Sequence, residues 1–142
     1  MEGYKNILVP MDGSECSERA LKQALLLKQA FGSKLTLLNI VSDPDIDCSM
    51  GNPSIVNASV KKEREDAEAY MAKRVADLPA DVETKVVVGC ISKSIIAEAE
   101  DMQCDLIVMG SQGLGSVLRR LLVGSVAKNV LSNTEIPVLV VH

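Results

Sequence analysis

Asp105-Leu106-Ile107-Val108-Met109-Gly110-Ser111-Gln112-Gly113-Leu114-Gly115-Ser116 decides how the rest of the chain is read. Asp105 to Met109 is a short, mostly apolar run, the mark of a strand buried on both faces of a parallel sheet. Glycines follow at once. In an open α/β sheet, ligands collect beyond the carboxyl ends of the strands, where the strand order reverses. A glycine there lets backbone N–H groups approach an anion with no Cβ in the way. Further on, Gly124-Ser125 opens a helix, and a helix's first turn offers N–H groups and a partial positive charge to a phosphate. The hydroxyls of Ser111 and Ser125 can add hydrogen bonds. Arg119 and Arg120 lie between the two glycine clusters, within reach of a phosphate tail. The residues alone leave a second reading open, in which the glycines only turn the chain between strand and helix.

Outward from this segment the chain alternates. Asn6 to Met11 is an apolar run, closed by the turn Asp12-Gly13-Ser14, with Ser14 placed to cap a helix. Ala20, Leu21, Ala24, Leu25 and Phe31 share one helical stripe, and Gly32 stands at the C′ position. Leu35 to Val41 is a second buried strand. Ser42 to Asn57, rich in proline, asparagine and aspartate, reads as a long loop. A charged helix over Ala58–Leu78 carries Val60, Ala67, Met71, Val75 and Leu78 on its apolar stripe, with Lys61 to Asp66 as its solvated face, and ends before Pro79. Thr84 to Val88 is the third strand. Ser92 then caps a helix whose Ile95, Ile96, Ala99 and Met102 point inward. After the fourth strand, Val126, Ala127, Val130 and Leu131 keep helical spacing, and Pro137 to Val141 is the fifth strand. Strands alternating with helices imply a doubly wound parallel sheet with helices on both faces. No repeat or linker divides the chain, so one domain over residues 1–142 is expected.

Composition narrows the function classes. A net charge of −4 and 2% aromatics argue against nucleic-acid binding. No apolar stretch approaches a membrane span, and the N-terminus has no leader pattern. The four cysteines, Cys16, Cys48, Cys90 and Cys104, form no C-x-x-C pair. We therefore expect a cytoplasmic protein with reduced thiols, Cys16 and Cys104 being structural. His142 is the only histidine and the last residue, expected to fray, so no histidine base or histidine metal site is available. No G-x-x-x-x-G-K-[S/T] occurs, and Gly113-x-Gly115 lacks the third glycine of a dinucleotide motif.

Met109-Gly110-Ser111-Gln112-Gly113, with Leu121-Leu122-Val123-Gly124-Ser125-Val126, resembles the nucleotide loop of the universal stress protein family. Ile7-Leu8-Val9-Pro10-Met11-Asp12-Gly13-Ser14 and the terminal Ile136-Pro137-Val138-Leu139-Val140-Val141 resemble that family in kind and position, so the resemblance spans the whole chain. It implies the adenine-nucleotide α-hydrolase-like arrangement, with strand order 3-2-1-4-5 and the ligand above strands one and four. It also implies contacts. Pro10, Met11 and Asp12 would line the adenine and ribose side, and Ile40 would hold the adenine through its backbone. Met109 and Gly110 would meet the ribose, and Gly113, Gly124, Ser125 and Val126 the phosphates. The cofactor implied is ATP or another adenine nucleotide, with magnesium or manganese on its phosphates, and the partner is a second copy joined through Pro137–Val141.

The family's ATP-binding members carry G-x2-G-x9-G-[S/T], whereas ten residues, Leu114 to Val123, separate Gly113 from Gly124 here. We place the extra residue near Gly115-Ser116-Val117, where it reshapes the phosphate end more than the adenine end. The expected function is that of a nucleotide-binding stress-response regulator, with no catalytic residue and no metal-ligating side chain assigned. Two alternatives stay open: a slow metal-dependent ATPase, and a dimeric interaction module without nucleotide.

Overall fold

The computed structural model describes residues 3–43, 58–113 and 123–142. Nine elements follow in order: β1 Asn6–Pro10, α1 Glu15–Phe31, β2 Lys34–Val41, α2 Ala58–Val75, β3 Glu83–Val88, α3 Ile91–Asp101, β4 Leu106–Gly110, α4 Ser125–Asn133 and β5 Val138–Val141. The strands form one sheet in the order β3-β2-β1-β4-β5. Every pairing is parallel, with Ile7 of β1 opposite Leu35 of β2 and Leu106 of β4. The expected doubly wound sheet and its order are therefore present. The order reverses between β1 and β4, which opens a crevice at their carboxyl ends.

Side chains alternate across the pleat and build two cores. Ile7, Val9, Leu106 and Val108 pack with Ala20, Leu21 and Met71, the face covered by α1 and α2. Leu8, Ile107 and Met109 pack with Ile95, Ala99, Ala127 and Val130, the face covered by α3 and α4. Each fully buried leucine or isoleucine here contributes about 1.5–3 kcal/mol.

Local chemistry sets the helix ends. The Ser14 side chain accepts from the Ser17 N–H, and Gly32 closes α1 in the left-handed region (φ 70°), its N–H bonding the Lys28 carbonyl. One expectation needs correction. α3 starts at Ile91 with Cys90 as its N-cap and no capping side chain, so Ser92 lies inside the helix. Leu131 keeps the helical spacing of α4 but is 46% exposed; Ala127 and Val130 are buried and Val126 packs partly buried against the same core. Lys61 to Asp66 are exposed, as expected of a solvated face. Of the loop expected over Ser42 to Asn57, residues 44–57 lie outside the described residues.

The thiols also differ from expectation. Cys16 is half-buried and free, and Cys104 is buried and free, with burial raising its pKa to about 11. Cys90, however, is disulfide-bonded, its partner outside the described residues. Disulfide geometry depends on which side chains the fold brings together, which spacing does not reveal. The C-terminus is held rather than frayed, since Arg19 Nε donates to the His142 carbonyl at 2.7 Å.

Helices α1 and α2 are clamped by a part-buried ion pair. Arg74 Nε donates to both Glu18 carboxylate oxygens, at 2.8 and 3.0 Å, and the Tyr70 hydroxyl reaches the same carboxylate at 3.3 Å. The Arg74 hydrogen bonds hold the Glu18 carboxyl below its usual 4.5. A lowered folded-state pKa stabilises the fold above the unfolded value, and that contribution disappears as pH falls through the folded one. Glu18→Gln is therefore expected to cost about 1 kcal/mol at neutral pH. Thermal melts should show the gap to wild type narrowing as pH drops below 4.5. A gap that stays constant down to about pH 2 would remove the ion pair from the account.

Candidate functional site

The crevice is built from four chain segments. At the tip of β1, the Met11 N–H donates to the Leu38 carbonyl at 2.7 Å, and Asn39 Nδ2 donates to the Met11 carbonyl at 2.8 Å. These bonds staple the tip onto β2. Gly13 then turns with φ 86°, a conformation that favours glycine. The Ser14 N–H donates to Asp12 Oδ1 at 2.9 Å, fixing that carboxylate at the entry to α1.

Across the crevice, β4 ends at Gly110 against the first turn of α1. The Ser111 N–H donates to the Val141 carbonyl at 2.8 Å, and the Ser111 carbonyl accepts from the Gly124 N–H at 2.6 Å. Ser111 thus joins the β5 edge to the start of α4. The glycines here are needed for space rather than for φ. A Cβ on Gly113 would stand 2.6 Å from Asp12 Oδ2, and one on Gly124 would stand 3.1 Å from the Ser111 carbonyl oxygen. Gly113 is thus brought against a carboxylate from the opposite segment.

The two helix N-termini at the crevice are electrically unlike. α1 has Ser14 as a capping side chain and Glu15 and Glu18 in its first turn. α4 has Gly124 at its N-cap, no capping side chain and no acid in its first turn. Its leading N–H groups and dipole form the anion-receptive end.

Pro10, Met11, Asp12, Ile40, Met109, Gly110, Gly113, Gly124, Ser125 and Val126 all line one cavity of about 360 Å³. That volume suits a small ligand. A hollow of about 430 Å³ beside Leu25 and Pro79 is larger, but it lies between α1 and the end of α2, away from the strand ends. The cavity also has walls that the sequence reading did not include: Leu38 on β2, Ser17 on α1, and Ile91 and Ile95 on α3. The i, i+4 spacing of Ile91 and Ile95 was the available signal, but it does not say which sheet face the helix crosses. Arg119, Arg120 and the extra residue of the spacer fall in residues 114–122, outside the described residues. Asp12 is the sole ionisable side chain among the described lining residues. Among the described residues, no group of three or more His, Cys, Asp or Glu could hold a metal ion.

Fold and crevice together define a doubly wound α/β protein with a glycine-lined crevice at its topological switch point. The chain belongs to the universal stress protein family, whose model matches residues 3–142. It is similar to a universal stress protein of Methanocaldococcus jannaschii, 34% identical over 154 residues, covering 97% of this chain and 94% of that protein. Its structure resembles that of UspA from Lactobacillus plantarum, at 28% identity and a TM-score of 0.83, with all of both chains covered. It also resembles a universal stress protein solved in complex with cAMP, at 27% identity and a TM-score of 0.69, with 99% of each chain covered.

Proposed function

We propose that this chain binds an adenine nucleotide, ATP or AMP, and acts as a nucleotide-responsive regulator in the stress response. One observation carries the reading: the ten residues expected to contact nucleotide converge on one cavity. The relative solved with cAMP supports the choice of an adenine ligand. The cradle suits such a group, because Gly124 leaves the bare N-terminus of α4 without a side chain, while Gly113 lies across from Asp12. Base and ribose occupy the side of Pro10, Met11, Asp12, Ile40 and Met109, and phosphates the side of Gly113, Gly124, Ser125 and Val126. Magnesium or manganese would be held by the phosphates.

With Asp12 as the one ionisable group among the described lining residues, acid–base chemistry has little to work with. Hydrolysis is therefore at most slow, and the protein is a binder before it is an enzyme. Self-association runs through β5, an edge strand. Its Leu139 and the Leu131 of neighbouring α4 are 39% and 46% exposed, a surface that a second copy would cover. The acidic composition leaves nucleic acid outside the partner set. We place the protein in the cytoplasm, and no helix among the described residues is long and apolar enough to cross a membrane. The Cys90 disulfide would be transient in that compartment. Calorimetric titration with AMP and ATP tests the reading, one saturable site per chain being the expected result.

A further inference from the structure

Five large apolar side chains are exposed among the described residues: Leu26, Phe31, Ile91, Leu131 and Leu139. Of these, Ile91 alone lines the cavity. It is 38% exposed at the first position of α3, while Ile95, one turn on, is 1% exposed and belongs to the core. The cavity is chemically divided. Leu38, Ile40, Ile91 and Ile95 form an apolar wall, and Ser111, Gly113, Gly124 and Ser125 form the polar side that ends on α4. A phosphate cannot be solvated by the first wall, whereas the flat face of a purine can lie on it. Ile91 stands in the first turn of α3, where the Ser94 N–H donates to the Cys90 carbonyl at 2.8 Å, so its backbone is fixed by the helix.

We infer that Ile91 is a base-contacting residue, the outer shelf on which the purine ring of the ligand rests, and that it sets affinity for the base independently of the phosphates. This rests on the adenine-nucleotide reading. It adds a helix that the glycine and strand-tip residues do not include.

Adenosine, AMP and ATP, titrated against wild type, Ile91→Ala and Ile91→Leu, test the assignment. Removing the side chain beyond Cβ from a partly exposed shelf is expected to weaken all three ligands by the same factor, about fivefold. Ile91→Leu should restore binding to within about twofold, because it returns the apolar volume. The melting temperature of each variant without ligand should match wild type, since Ile91 is not a core side chain. Undiminished binding of adenosine by Ile91→Ala would overturn the assignment of Ile91 and leave the nucleotide reading standing. A loss that grows with the number of phosphates would also overturn it, by placing Ile91 on the phosphate side. Absence of binding by the wild type would defeat the nucleotide reading, and this inference with it.

Discussion

Gly113→Val is expected to weaken adenine-nucleotide binding about 30- to 100-fold while leaving the fold intact. Even the first carbon of the new side chain would stand 2.6 Å from Asp12 Oδ2. Asp12 cannot yield freely, because its other oxygen accepts from the Ser14 N–H at 2.9 Å. Either the loop retreats from the crevice or the carboxylate rotates off the entry to α1. The first takes the cradle away from the phosphates, and the second disturbs the ribose side as well. Losing one or two charge-assisted hydrogen bonds accounts for an effect of about 2–3 kcal/mol. Gly113 is exposed, so the unliganded protein should melt within a few degrees of wild type. Calorimetry and thermal melts on the same preparation separate the two effects. An affinity within about threefold of wild type would mean that Gly113 does not face the ligand.

The second large effect concerns stability. In Gly110→Ala the added Cβ would lie 2.7 Å from Cys16 Cβ, 2.8 Å from the Cys16 carbonyl carbon and 2.9 Å from the Ser17 nitrogen. Two of these are backbone atoms in the first turn of α1, and the Ser17 N–H is the one that Ser14 caps. Relief requires α1 to lift from β4, opening the core between them. The expected loss is about 3 kcal/mol in urea unfolding, or about 10 °C in melting temperature. Gly32 differs in kind: a Cβ there meets nothing within 4 Å, and the need for glycine is conformational, at φ 70°. A loss below about 0.5 kcal/mol for Gly110→Ala would show that α1 and β4 are not packed as described.

Much of this architecture is legible in the residues, for identifiable reasons. Strands such as Leu106–Gly110, buried on both faces, announce themselves as unbroken apolar runs. The ends of α1 are readable because Ser14 and Gly32 carry their chemistry in their own side chains, or in the lack of one. The start of α3 is not, because its N-cap, Cys90, makes no side-chain capping bond. Leu131 satisfies helical spacing yet stands exposed, since spacing describes a stripe and not the width of the surface that covers it. The glycine segment is suggestive in the residues themselves, the strand-tip positions are named only through the family resemblance, and the fold brings both to one crevice. Ile91 and Ile95 were missed because membership of the crevice depends on how a helix crosses the sheet. The Cys90 disulfide was missed for the same kind of reason. The glycine loop suggested a close backbone approach, but only the fold shows that Gly113 approaches Asp12, about 100 residues earlier in the chain.

The measurement closest to the central claim is titration of nucleotide-stripped wild-type protein with AMP and with ATP in a calorimeter, magnesium present. Saturable heat with a stoichiometry near one per chain is the result the cradle at Gly113 and Gly124 predicts. No heat and no shift in melting temperature with either nucleotide would contradict it, leaving the crevice between β1 and β4 without the ligand proposed for it.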